Sequence, residues 1–157
     1  MDDATRKTLI AQYREGYSAV AEALLKITDE ELNTPPAPGK WTVREIVHHL
    51  GDSEMIAAVR LRLLLAQDRP AIQGYDQDEF ARRLKYDRAY QTSLELFRYA
   101  RESTAEILER LTSEDWQRAG THSELGAYSV DKWLEIYAAH AHKHATQIRA
   151  ARGAVKK

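Results

Sequence analysis

The chain carries six histidines, His48, His49, His122, His140, His142 and His144, and three of them crowd into the segment AAHAHKHATQI. If that segment is helical, at about 100° per residue, Trp133, Ile136, Tyr137, His140, His144 and Ile148 share one stripe. His140 and His144 then stand one turn apart near the centre of the inward side, and His142 faces the other way. Two imidazoles at i and i+4 can reach one metal ion because their Cβ atoms are neighbours. The competing reading is a pair of core histidines satisfied by hydrogen bonds, since burying them without partners is costly. Ala141 follows His140, so the general-base glutamate of an H-E-x-x-H zincin motif is missing.

A third ligand has to come from another helix. His48 and His49 lie on opposite flanks of an earlier apolar stripe, at similar distances from its centre, and the geometry inclines slightly to His49, which shares its flank with Ser53 and Arg60. Glu54 interrupts that stripe between Leu50 and Leu61. It reads either as a carboxylate paired with a buried Arg or Tyr, or as a fourth ligand or catalytic proton acceptor beside the metal. Gln147, one turn past His144, reads as a satisfied interior amide or as a support for a bound water or ligand. Arg60, Arg62, Arg82, Arg83 and Arg98 read as solvated faces, and Tyr13, Tyr17, Trp41, Trp133 and Tyr137 as packing aromatics.

Composition removes several alternatives. With no cysteine among 157 residues, a disulfide, a thiolate metal site, an iron–sulfur cluster and a cysteine nucleophile are all excluded. Lys+Arg at 23 against Asp+Glu at 24 leaves a net charge of −1, which argues against a nucleic-acid surface. No apolar run approaches the roughly 18 residues of a membrane span, and MDDATRK has no signal-peptide character. A cytoplasmic protein with neither a nucleic-acid nor a membrane partner is expected. There is no phosphate-binding glycine loop, G-x-S-x-G or dinucleotide fingerprint.

The elements that must position these side chains are helical. Leu9, Tyr13, Val20, Leu24 and Ile27 predict a helix from about Ala4 to Lys26. A short capped turn at Thr28–Leu32 and the breaker NTPPAPGK follow it. Thr42 and Glu45 form a capping box that opens a second helix, running to about Gln67. A short amphipathic piece at Asp78–Leu84 and a third long helix from about Arg88 to Leu111 come next. The glycine-spaced stretch from Gln117 to Tyr128 has room for a small hairpin. Ser129 as N-cap and Asp131 near the positive dipole end open the last helix, which ends near Gly153. Four helices of this length in residues 1–157 predict an all-α, single-domain four-helix bundle.

PGKWTVREIVHHLGDSE and YSVDKWLEIYAAHAHKHATQI resemble the two signature segments of the DinB/YfiT-like superfamily of metal-binding four-helix bundles, and RPAIQGYDQDEFA resembles its YfiT-type branch. The resemblance spans essentially the whole chain. It implies that three histidines hold one divalent metal, and by position these are His49, just before Leu50, with His140 and His144. The chain departs from the family at Glu54: the run Gly51-Asp52-Ser53-Glu54 stands where YfiT-type members often have A-D-S-H.

Three imidazoles on one ion leave a coordination position open, as in catalytic rather than structural sites. The resemblance implies metal-assisted hydrolysis or transfer of a low-molecular-weight thiol to a small-molecule electrophile. The alternative class is a non-catalytic bundle that binds metal or a small ligand. Nitrogen ligation favours zinc or nickel as the cofactor, with iron or manganese next. A homodimer through the outer face of a bundle helix is a further expectation.

Overall fold

The computed structural model describes residues 1–155. Its elements run α1 (Asp3–Ala23), α2 (Asp29–Asn33), α3 (Val43–Ala66), β1 (Ala71–Ile72), α4 (Gln77–Arg83), α5 (Gln91–Leu108), α6 (Ser113–Trp116), β2 (Ala119–His122), β3 (Gly126–Ser129) and α7 (Val130–Val155). The four long helices α1, α3, α5 and α7 form the expected bundle. Among the described residues no helix is long and apolar enough to cross a membrane.

The capping chemistry sets the helix starts. Thr42 Oγ1 accepts the Glu45 N–H at 3.2 Å while Glu45 Oε2 accepts the Thr42 N–H at 2.7 Å, closing the box that opens α3. Thr28 and Thr112 do the same for the short helices α2 and α6. Boundaries shift where the backbone turns left-handed. Lys26, at φ +53°, lies just past α1, which ends at Ala23, short of the expected Lys26. Lys85, at φ +57°, reverses the chain after α4. Arg88 caps that reversal through the carbonyls of Leu84 and Lys85, so α5 starts at Gln91 instead of Arg88.

The order of packing is not the order of the chain. α1 lies against α7 and α5, and α3 lies against the same two helices, so α1 and α3 occupy one diagonal of the bundle and α5 and α7 the other. Two buried apolar clusters fill the interior, one around Tyr13, Leu61, Trp133 and Tyr128, the other around Val20, Ile46, Leu50, Phe97 and Ile148. Arg101, 2% exposed, stands at the centre of the four. It donates from Nε and Nη2 to the Tyr13 carbonyl, from Nη2 to the Tyr137 carbonyl, and from Nη1 to Glu54 Oε2. Gly16 makes this approach sterically possible: a Cβ there would stand 2.7 Å from both Arg101 Nη2 and Ala141 Cβ.

The hairpin expected before the last helix is present as β2–β3, antiparallel with Gly120 opposite Tyr128. β1 has no strand signal in its residues; it adds to β2 in parallel with Ile72 opposite His122. This three-stranded sheet brings the segments around Tyr75 and His122 to the mouth of the bundle beside α3 and α7.

Candidate metal centre

His49 comes from the middle of α3 and is 3% exposed; His140 and His144 come from successive turns of α7 and are half-buried. Because α3 and α7 are packed neighbours, the three rings meet. Each offers a nitrogen, and these nitrogens all lie within 4.8 Å of one another. The Nε2 atoms of His140 and His144 are 3.2 Å apart. Tetrahedral coordination at a metal–nitrogen distance of about 2.0–2.1 Å sets neighbouring ligand atoms roughly 3.3–3.4 Å apart, so this pair already has the spacing of two ligands on one ion. The Trp41 ring packs on His49 at 4.9 Å between centroids, and Tyr137 meets His140 edge-on at 6.0 Å.

A neighbouring residue fixes the ring of His144. Its Nδ1 donates to Gln147 Oε1 at 2.8 Å, which puts the proton on Nδ1 and leaves the Nε2 lone pair for a cation. Gln147 is exposed, not an interior amide, and among the described residues its side chain hydrogen-bonds to this imidazole. His140 Nδ1 is buried with no hydrogen-bond partner among the described residues.

Burial also sets the protonation states. It holds His49 down at about 3, with the nearby His144 adding to the effect. His140 is held well below its ordinary value by burial first and then by His144 and His49. His144 is lowered by burial against the opposing Gln147 hydrogen bond. At neutral pH the cluster is therefore three neutral imidazoles, the form that binds metal. An all-nitrogen donor set suits zinc, nickel, copper or iron.

The other histidines are engaged elsewhere. Buried His48 pairs Nδ1 with Ser93 Oγ at 2.8 Å and Nε2 with the Arg88 carbonyl at 3.1 Å. His142 donates from Nε2 to the Gln12 carbonyl at 2.9 Å. Glu54 is fully buried and lies outside the histidine cluster. One carboxylate oxygen accepts from Tyr13 Oη and the other from Arg101 Nη1. That is the pairing with a buried Arg and Tyr that its place on the stripe allowed.

A cavity of about 430 Å³ opens beside the cluster, with His49 and His140 in its wall together with Arg60, Tyr75, His122 and Tyr137. Two of these wall residues correct or extend the sequence reading. Arg60 is not on a solvated face: it is 8% exposed and tied to Tyr137 Oη at 3.0 Å and to the Gln73 carbonyl at 2.7 Å. Its flank position beside His49 and Ser53 on α3 was the available signal. His122 sits in a short strand with no readable periodicity; it is 3% exposed, opposite Ile72 of β1 and packed on the Tyr128 ring.

Comparison with known proteins decides the family. The DinB superfamily model matches residues 12–148, which is most of the chain. The chain belongs to the DinB superfamily. Among curated superfamily members it is 34% identical to a "putative metal-dependent hydrolase" of Oceanobacillus iheyensis, over 80% of this chain and 73% of that one. It is 32% identical to "Putative metal-dependent hydrolase YfiT" of Bacillus subtilis, over 81% of this chain and 72% of that one. A solved structure, described as "YfiT from Bacillus subtilis is a probable metal-dependent hydrolase with an unusual four-helix bundle topology", superimposes with a TM-score of 0.90 at 28% identity, covering 96% of this chain and 87% of that one.

Proposed function

We propose that this chain is a metal-dependent hydrolase of the YfiT type, holding one divalent ion, zinc or nickel, through His49, His140 and His144. The observation that carries the reading is the convergence of three neutral imidazoles in the wall of a cavity sized for a small molecule. A divalent ion held there supplies a Lewis acid and, through an open position, a nucleophile at neutral pH. The chain's own part is to hold the ligands. Gln147 orients His144, Trp41 packs on His49, and Arg101 with Glu54 fixes α3 against α5 behind the cluster.

The names of the curated relatives favour hydrolysis over thiol transfer. The test is metal analysis of purified protein, followed by turnover of a panel of small esters, amides and phosphoesters by wild type and His140→Ala. Hydrolysis by the metal-loaded wild type and its loss in the variant are the expected results. Product formation only when a low-molecular-weight thiol and an electrophile are supplied would replace hydrolysis with thiol transfer. Metal binding without turnover in either assay would leave a non-catalytic binding bundle.

A further inference from the structure

Arg60 is a buried cation in the cavity wall whose protein partners are all neutral. Its two hydrogen bonds go to the Tyr137 hydroxyl and the Gln73 carbonyl, and Nε is buried without a partner. Among the described residues it enters no ion pair. A guanidinium cannot shed its charge on burial as a lysine can, so an unpaired one is costly to keep. Two carboxylates line the same cavity, yet neither serves as its counter-ion. Asp76 caps α4 by accepting the Asp78 and Glu79 N–H groups. Glu124 is exposed and lies over Gly74, where a Cβ would come within 2.3 Å of its Oε1.

His122, 3% exposed, supplies a second donor in the same wall. Its Nδ1 accepts the Glu124 backbone N–H at 3.1 Å. A backbone amide can only donate, so the proton of the neutral ring sits on Nε2, which takes no hydrogen bond among the described residues. Burial, with the charge of Arg60 nearby, keeps this ring neutral.

We propose that Arg60 and His122 are the recognition pair for a compact anionic group on the substrate, a carboxylate or a phosphate, whose bond to be broken lies toward His49 and His140. Arg60 has five N–H donors in a planar fork, two of them engaged, which leaves donors for an anion that also supplies the missing counter-charge. Tyr137 holds the fork, and it stands one turn before His140 on α7, so the anion site and the ligand helix are positioned together. The proposal rests on reading this cavity as the substrate site.

The test is calorimetric titration of the metal-loaded full chain with inorganic phosphate and, separately, acetate, the two arms distinguishing the anion classes. Saturable binding of at least one is expected. Arg60→Met should weaken it tenfold or more while retaining the metal content of wild type, and His122→Phe should weaken it several-fold. His140→Ala, which tests the metal reading, should still bind the anion. If Arg60→Met does not fold by circular dichroism, Arg60→Lys replaces it, because it keeps the charge but loses the fork, and a several-fold loss is expected. No saturable binding by wild type, or affinity unchanged in the Arg60 variant, would overturn the proposal. Loss of anion binding only in His140→Ala would show the ions sitting on the metal and would overturn it too.

Discussion

Arg101 Nη1 and Glu54 Oε2 meet at 2.5 Å with side chains 2% and 0% exposed, joining α5 to α3 in the middle of the bundle. Burial alone pushes the Glu54 carboxyl upward, and Arg101 opposes that shift. Removing one partner leaves the other charge buried and unpaired. Glu54→Gln is expected to lower stability by about 3–5 kcal/mol, read from urea unfolding followed by circular dichroism. A Glu54→Gln protein of wild-type stability and metal content that had lost turnover would instead show a proton acceptor in the reaction.

His49→Ala, His140→Ala and His144→Ala should each abolish stoichiometric metal binding, while His142→Ala should leave it intact. Metal analysis of the purified variants checks this, and equal loss in all four would mean that the metal sits elsewhere.

Gln147→Leu removes the acceptor that sets the His144 tautomer. Metal affinity should fall about tenfold or more without loss of the site, measured by competition with a chromogenic chelator. Unchanged affinity would show that the contact does not orient the ligand.

Chelation should lower the melting temperature yet keep the helical signal, because the apolar clusters do not include the ion. A ligand that binds only the native state adds roughly 3–4 kcal/mol at a hundred- to thousandfold excess over Kd. Far-ultraviolet circular dichroism with and without chelator reads both effects, and full unfolding at neutral pH would indicate a structural metal.

The metal-free protein should lose stability as the pH falls. His49 titrates near 3 when folded and near 6.5 when unfolded, so between those values the unfolded chain binds more protons and acid favours it. The contribution is whole above about 6.5 and lost progressively down to about 3. Urea midpoints at pH 7 and pH 5 measure it, and an equal or higher midpoint at pH 5 would contradict the buried, neutral His49.

The bundle was legible because its signals are periodic. Stripes, capping boxes and the NTPPAPGK breaker each act over a few residues, and His140 and His144 could be placed together because i and i+4 is a local relation. The choice between His48 and His49 was not local: it depends on which side of α3 faces α7 and which faces Ser93 on α5, a matter of helix order that one stripe does not encode. Arg60 was misread because a flank position turns from solvated to buried only when β1 and β2 close over it. Arg101 carried no signal of its own, since a lone arginine on a helix says nothing of the two backbone carbonyls and one carboxylate it will bridge.

The placement of α1 and α3 on a diagonal governs how the chain can mature. The first long helix does not find its main partner nearby in sequence, since α1 packs chiefly against α7; Arg6 waits for Asp131, 125 positions later, to hold α1 against the start of α7. As the chain leaves the ribosome it can present one imidazole of the three, and the other two arrive together on the last helix. On the proposed three-histidine site, metal capture is therefore a late event that follows synthesis of α7. The high sequence separation of these contacts predicts slower folding than that of a bundle wound in chain order.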